Sequence, residues 1–374
     1  MKKKLLSAIL SLTVISLIGT NSAALVYNKE NPEVGDGVYD GYDLDCERLT
    51  YIYSGGNAVC WHPNKDGNGD WYLEYHSLDD ENYQEFEFLN RTIKVPDSIN
   101  GKTMCYILGS SGVKGFDLNP ENPYMECVDN VIFSEDKKKL MSYATLDNRT
   151  EYIIPEGTEI IGENSLFNSN NLNEIMMPNT VEKIEEGAMW GSDNLKTVSF
   201  STKIKEIPKD CFAGNKNLKE VSIPKDSELN VIGENAFDWC NRLETLYLPS
   251  FEIEIDRSAF GPTYEKTLKT QLKSYVQPKI TVSENKLSWE KIPNASYYEI
   301  YQKLNSGEYK LLKTTKATAC KFTTLKSGKN YTFAVKPVAV IPAANFDKEK
   351  DEGVYPETFT IEGTMSEDFV LTGK

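Results

Sequence analysis

Residues 231–249 contain Val231-Ile232-Gly233-Glu234-Asn235-Ala236-Phe237 and then Leu243-Glu244-Thr245-Leu246-Tyr247-Leu248-Pro249, and both halves recur upstream at a fixed spacing. Ile161, Ile184, Ile207, Ile232 and Ile255 are separated by 23, 23, 25 and 23 residues, and Leu172, Leu195, Leu218 and Leu243 by 23, 23 and 25. Four residues after each isoleucine stands a small residue (Ser165, Ala188, Cys211, Ala236, Ala259), followed by a bulky one (Leu166, Met189, Phe212, Phe237, Phe260). A period in this range marks stacked supersecondary units, none of which can bury its apolar face alone. Residues 153–260 are therefore expected to form a solenoid.

Within one unit, Leu172-Asn173-Glu174-Ile175-Met176-Met177-Pro178 alternates apolar Ile175 and Met177 with an outward Met176, as a short half-buried strand requires. Proline then ends the strand, since it cannot donate to the ladder. The next arc brings Ile184, Ala188, Met189 and Leu195 inward. The alternation leaves a row of outward rungs: Glu174 and Met176, Thr197 and Ser199, Glu220 and Ser222, Thr245 and Tyr247. Repeat proteins form extended binding surfaces from such rows, so these eight residues are the candidate binding face. Trp190 and Trp239 fall in the opposite arcs, where packing against the neighbouring repeat is expected and a role as interface anchors is the alternative.

Between residues 93 and 154 the repeat degenerates. Asn122-Pro123-Tyr124, Asp129-Asn130-Val131-Ile132-Phe133 and Asp136-Lys137-Lys138-Lys139-Leu140 interrupt it, and Tyr152-Ile153-Ile154-Pro155 resumes it. With these segments the chain resembles the BspA-like leucine-rich repeat proteins of bacteria over roughly residues 49–262. Met189 departs from the usual Phe of that pattern, and Ser201 stands where Pro is usual. The resemblance implies a leucine-rich repeat solenoid, a right-handed, β-rich β/α superhelix of 23-residue repeats. Before it, Leu49-Thr50-Tyr51-Ile52-Tyr53, Ser54-Gly55-Gly56-Asn57 and Ala58-Val59-Cys60-Trp61 read as a strand, a Gly-rich turn and a second strand, a hairpin suited to covering the open end of the stack.

After Phe260 the period stops. Leu268 and Leu272, four apart, suggest a short helical cap or linker over 264–278. From 279 to 374 the chain alternates strand patterns at sandwich spacing: Lys286-Leu287-Ser288-Trp289, Tyr297-Tyr298-Glu299-Ile300-Tyr301, Tyr309-Lys310-Leu311-Leu312 and Tyr331-Thr332-Phe333-Ala334-Val335. This stretch resembles a fibronectin type III domain, an all-β immunoglobulin-like sandwich. Trp289 stands for the strand B tryptophan, and 325–331 for the turn before the tyrosine corner. The charged segment 342–356 is longer than that fold's usual loop.

Residues 1–24 have the layout of a secretory signal peptide: Lys2, Lys3 and Lys4, an apolar run over 5–18, then Ser22-Ala23-Ala24. Fourteen apolar residues fall short of the roughly 20 that span a bilayer, and no span is expected after cleavage. Removing three lysines and no acids takes the formal net charge from −15 to −18. That balance disfavours nucleic acid and anionic lipid as partners. Residues 25–48, rich in Asn, Gly, Asp and Glu, read as a flexible acidic leader, and 49–263 as the repeat domain. The seven cysteines show no C-x-x-C and no framework; an odd count leaves at least one outside any intrachain pair, and Cys46 with Cys60 is one candidate bridge.

No catalytic, cofactor or metal site is expected. The chain has two histidines, His62 and His76, and a Cys60/His62 pair falls inside the capping hairpin. Asp66-Gly67-Asn68-Gly69-Asp70 has the oxygen spacing that opens a calcium loop, but Trp71 and Ser77 stand where glycine and a bidentate glutamate belong, so a polar turn is the better reading. Acid pairs occur throughout a chain with 56 acidic residues and single out no glycosidase dyad. The expected function is a secreted or cell-surface, non-enzymatic protein-binding module, adhesin-like toward host matrix or microbial surface macromolecules. The alternative is a glycan-binding accessory module. With no L-P-x-T-G signal, release, or retention through another protein, is expected.

Overall fold

A computed structural model describes residues 113–262, 270–352 and 354–373, together with the strands Gly37–Asp43, Arg48–Tyr53, Asn57–Pro63, Trp71–Ser77, Thr92–Val95, Ser98–Ile99 and Lys102–Ile107. The signal segment, Cys46 and the 66–70 acidic turn lie outside the described residues.

The repeats build two parallel ladders. In the first, Glu151–Ile153, Glu174–Met176, Thr197–Ser199 and Glu220–Ser222 pair in register, with Tyr152, Ile175, Val198 and Val221 aligned. Those central residues are buried and their neighbours face outward, so a three-residue strand suffices to split apolar from polar. The second ladder runs from Lys139–Tyr143 through Ile160–Ile161 to Lys183–Ile184, and continues in Glu206–Ile207, Val231–Ile232 and Glu254–Ile255. Between the ladders the bulky column stacks, with Phe212 over Phe237 at 5.4 Å and Phe237 over Phe260 at 5.5 Å, each pair within 10° of parallel.

The arcs are chains of turns, not the helices that a β/α superhelix calls for; among the described residues the one helix, Lys348–Asp351, lies outside the repeats. The cause is backbone handedness. Three residues after the ladder isoleucine, Asn164, Gly187, Asp210 and Asn235 all have φ between 51° and 61°. Seven after it, Asn168, Gly191, Gly214 and Trp239 have φ of 54°, 71°, 77° and 59°. Two left-handed residues per arc are incompatible with a right-handed helix, and glycine, asparagine and aspartate bear that conformation at least cost. Trp239 is the bulky exception.

At the C-terminal end the stack does not stop where the period does. Thr245–Leu248 pairs in parallel with Gln271–Ser274, which pairs in parallel with Thr358–Glu362. Gln271–Ser274 thus replaces the helical turn expected from Leu268 and Leu272: Leu272 and Ser274 are buried while Gln271 and Lys273 face outward, a period of two. Ala344 extends the second ladder, donating to Ile255 O at 2.8 Å and accepting from Arg257 N at 3.0 Å. Ala339, Ile341, Ala343, Phe359 and Ile361 accordingly belong to the same core as the repeats. The segment that looked like an oversized loop is the dock: Asn345 Nδ2 donates to Asp256 Oδ2 at 2.7 Å, and Arg257 pairs with the buried Asp351.

Beyond this junction, Asn330–Pro342 pairs antiparallel with Thr358–Glu362, Tyr297–Lys303 and Phe369–Thr372, and Tyr309–Thr315 closes the edge. A second sheet joins Ile280–Ser283, Lys286–Trp289 and Ala319–Lys321. Leu287, Trp289, Tyr298, Ile300, Cys320, Phe333, Val335 and Leu371 form a core shared by the two sheets. Upstream, Arg48–Tyr53 and Asn57–Pro63 form the expected hairpin inside a six-stranded sheet. Gly37–Asp43 joins that sheet as a strand, within the stretch that composition assigned to a flexible leader.

Candidate interaction surface

The eight outward residues read from the sequence fall on one face of the first ladder. Glu174, Thr197 and Glu220 are successive register partners, as are Met176, Ser199 and Ser222. Thr245 and Tyr247 occupy the same alternation in Thr245–Leu248, whose Leu246 and Leu248 are buried. Tyr247 is 40% exposed. Alternation puts each pair outward because the residue between them must fill the core.

The face is longer than those eight. Glu151 and Ile153 precede Glu174 and Met176 in register, and Ile153 is 67% exposed. Its signal was present in the sequence, since Ile153 stands two residues before Pro155 as Met176 does before Pro178. At the other end Lys273 follows Tyr247 in register, and Tyr275 stacks on Tyr247 at 5.4 Å. The Tyr275 hydroxyl donates to Ile223 O at 3.1 Å, reaching past Thr245–Leu248 to the repeat before it. Burial, with Tyr247 and Glu220 nearby, pushes that hydroxyl's pKa up, so it stays a donor at neutral pH. One column therefore runs Glu151, Glu174, Thr197, Glu220, and its neighbour runs Ile153, Met176, Ser199, Ser222.

The second ladder presents a different surface. Lys139 meets Glu185 at 2.8 Å, Lys183 meets Glu185 at 3.2 Å, Lys138 meets Glu159 at 2.8 Å and Lys209 meets Glu234 at 3.0 Å. Burial alone would raise the Glu185 carboxyl, yet hydrogen bonds from Lys139 and Lys183 hold it below the usual carboxylate range. The charges of these pairs satisfy one another, whereas the first-ladder face offers carboxylates beside apolar and aromatic groups.

Cys60 and His62 both lie in Asn57–Pro63, two residues apart. Among the described residues no group of His, Cys, Asp and Glu is placed to hold a metal ion, and no helix is long and apolar enough to cross a membrane.

Two parallel ladders, a repeated left-handed turn and a 23-residue step are a repeat signature, and comparison with known families finds a matching one over part of the chain. Residues 141–266 match the BspA type leucine rich repeat region in six copies. The match begins later than the residue 49 expected from sequence and takes in only the end of the degenerate stretch. Three solved structures are similar in part to this chain. A leucine rich cell surface protein from Faecalibacterium prausnitzii is 24% identical over 46% of this chain and 45% of that one, with a TM-score of 0.40. The pneumococcal vaccine antigen PcpA is 20% identical over 50% and 51%, at 0.36. A leucine-rich repeat protein from Eubacterium ventriosum is 20% identical over 48% and 58%, at 0.33. The chain thus spans about half the length of these three structures. No curated protein matches it.

Proposed function

We propose that this chain is a secreted or cell-surface, non-enzymatic module that binds an extracellular protein through the first-ladder face, as an adhesin does. The observation that carries the reading is the register of that face: outward side chains from successive repeats stand in two columns, from Glu151 and Ile153 to Glu220 and Ser222, and Thr245 and Tyr247 face outward by the same alternation in the next repeat. Carboxylates in one column and Ile153, Met176 and Tyr247 in the other fit a partner that offers basic groups beside an apolar stripe. The signal-peptide layout of residues 1–24 supports export.

The C-terminal strands fit an immunoglobulin-like sandwich of the fibronectin type III kind, acting as spacer or second contact. Supporting this, Trp289 is buried edge-on against Tyr298 at 5.1 Å, and the Tyr331 hydroxyl accepts from Lys326 N at 3.3 Å, the back-bond of a tyrosine corner.

The test is binding of the full chain to a panel of extracellular matrix, plasma and bacterial surface proteins. A partner should be found whose binding falls at least tenfold in Tyr247→Ala and Glu220→Ala, with the thermal midpoint unchanged. Binding that survives both substitutions, or a panel without a partner, would sink the proposal.

A further inference from the structure

Trp239 contributes little to the fold that holds it. Its side chain is 64% exposed, and its backbone sits at φ 59° in a column whose other members are Asn168, Gly191 and Gly214. A β-carbon costs energy in that region, so a tryptophan there strains the turn without filling the core. Trp190, 46% exposed, lies two repeats upstream on the same arc. Its ring stacks on Phe167 at 4.9 Å, and its indole nitrogen lies 3.5 Å from where a Gly214 β-carbon would be. Gly214 N in turn donates to the carbonyl oxygen of Asp238, the residue before Trp239, at 2.8 Å. Trp190 thus reaches over Gly214 of the next repeat, and the backbone of Gly214 bonds to the residue before Trp239.

The surroundings choose the occupant. In the arc of Trp190 and in that of the repeat after it, two amides take the same position: Asn194 Nδ2 donates to Asn170 O at 2.7 Å and Asn217 Nδ2 to Asp193 O at 2.8 Å. Each amide is thus oriented by the rung before it, leaving its Oδ1 as an acceptor. The exposed large hydrophobics of this arc are the two tryptophans, with no aliphatic patch around them such as the core of a protein interface needs. Aromatic faces carry negative potential and attract the positive edges of C–H bonds, and fixed amides bond hydroxyls. A ligand with C–H faces and a hydroxyl rim meets both demands.

We propose that Trp190 and Trp239 form a stacking platform for a polysaccharide chain on the turn side of the solenoid, separate from the first-ladder face. The strain at Trp239 is kept for this contact.

Affinity electrophoresis of the full chain in gels containing soluble xyloglucan, mixed-linkage β-glucan, amylopectin, mannan, galactan or xylan tests it, alongside thermal unfolding. At least one polysaccharide should retard the chain. Trp239→Gly should weaken that retardation at least tenfold while leaving the thermal midpoint equal or higher, because glycine already fills this position in two repeats. Trp190→Ala should weaken it as well, whereas Tyr247→Ala should not, which separates this site from the protein-binding face. The proposal falls if no polysaccharide in the panel retards the chain, or if retardation survives both tryptophan substitutions. It also falls if Trp239→Gly lowers the midpoint, which would make Trp239 a packing residue, or if Trp239 is needed for a protein partner instead.

Discussion

The side-chain amide of Asn215 donates to the carbonyl oxygen of Met189 at 3.0 Å, and this bond is one rung of a series. Ser192 Oγ donates to Leu166 O at 3.0 Å and Cys240 Sγ to Phe212 O at 3.1 Å. In each case the acceptor is the bulky core residue of the preceding repeat, so one buried polar column ties the apolar one together. Asn215→Ala strands a carbonyl in the core and should cost about 1–3 kcal/mol in urea unfolding. Asn215→Ser, which copies Ser192, should cost less. Equal losses in the two variants would show that the amide acts only by volume.

Cys240 donates in that series as a thiol. Burial pushes the pKa values of Cys240 and Cys211 up, and the thiolate is the reactive form. Iodoacetamide on the native chain at pH 8 should therefore spare both, and label them only after denaturation. Mass spectrometry of the alkylated peptides reads this directly; labelling of Cys240 in the folded chain would contradict the assignment.

Arg257 and Asp351 lock the C-terminal segment to the last repeat. The Asp351 side chain is 5% exposed, so Arg257→Ala leaves a buried charge without its partner and should destabilise the chain by about 3 kcal/mol. Replacing both, with Arg257→Met and Asp351→Leu, should recover part of that loss. Because Phe359 and Ile361 share the repeat core, hydrogen exchange should show Thr358–Glu362 and Thr245–Leu248 opening together. Independent opening of these strands would mean the junction is not one cooperative unit.

The Glu185 carboxyl, held low by Lys139 and Lys183, makes stability depend on pH with a fixed sign. Its folded pKa lies below the unfolded value of about 4.3, so its contribution is complete above that pH and is lost as pH falls through the folded value. The thermal midpoint should drop across that acid window. Glu185→Gln should flatten part of the drop, by at most about 1 kcal/mol, since the pair is partly solvated. A Gln variant with an unchanged acid limb would place the effect elsewhere.

What the sequence disclosed and what it hid follow from where each signal resides. Columns such as Ile161, Ile184 and Ile207 mark the solenoid because every repeat solves the same packing problem, and alternation around Ile175 or Val198 is enough to place Glu174, Met176, Thr197 and Ser199 outward. The helix-free arcs were written in Asn164, Gly187, Asp210 and Asn235, yet a column of left-handed residues is easily missed because its members differ in size and charge. The junction left no local trace. Leu272 is partnered by Ile361, far along the chain, and Ala344 completes a ladder that is otherwise built from repeats. Pairing of this kind sets no period, so Gln271–Ser274 looked like a linker and 342–356 like an oversized loop. Tyr275, one residue past its strand, joined the candidate face for the same reason.

The fixed register of the two ladders also makes the molecule a measure of distance. Every repeat adds one inter-strand step, about 4.8 Å, between the N-terminal sheet and the C-terminal strands. The reach of the protein is thus counted in whole units, and excision of any single 23-residue unit from the regular stretch would shorten it by one step while leaving both ends as they are.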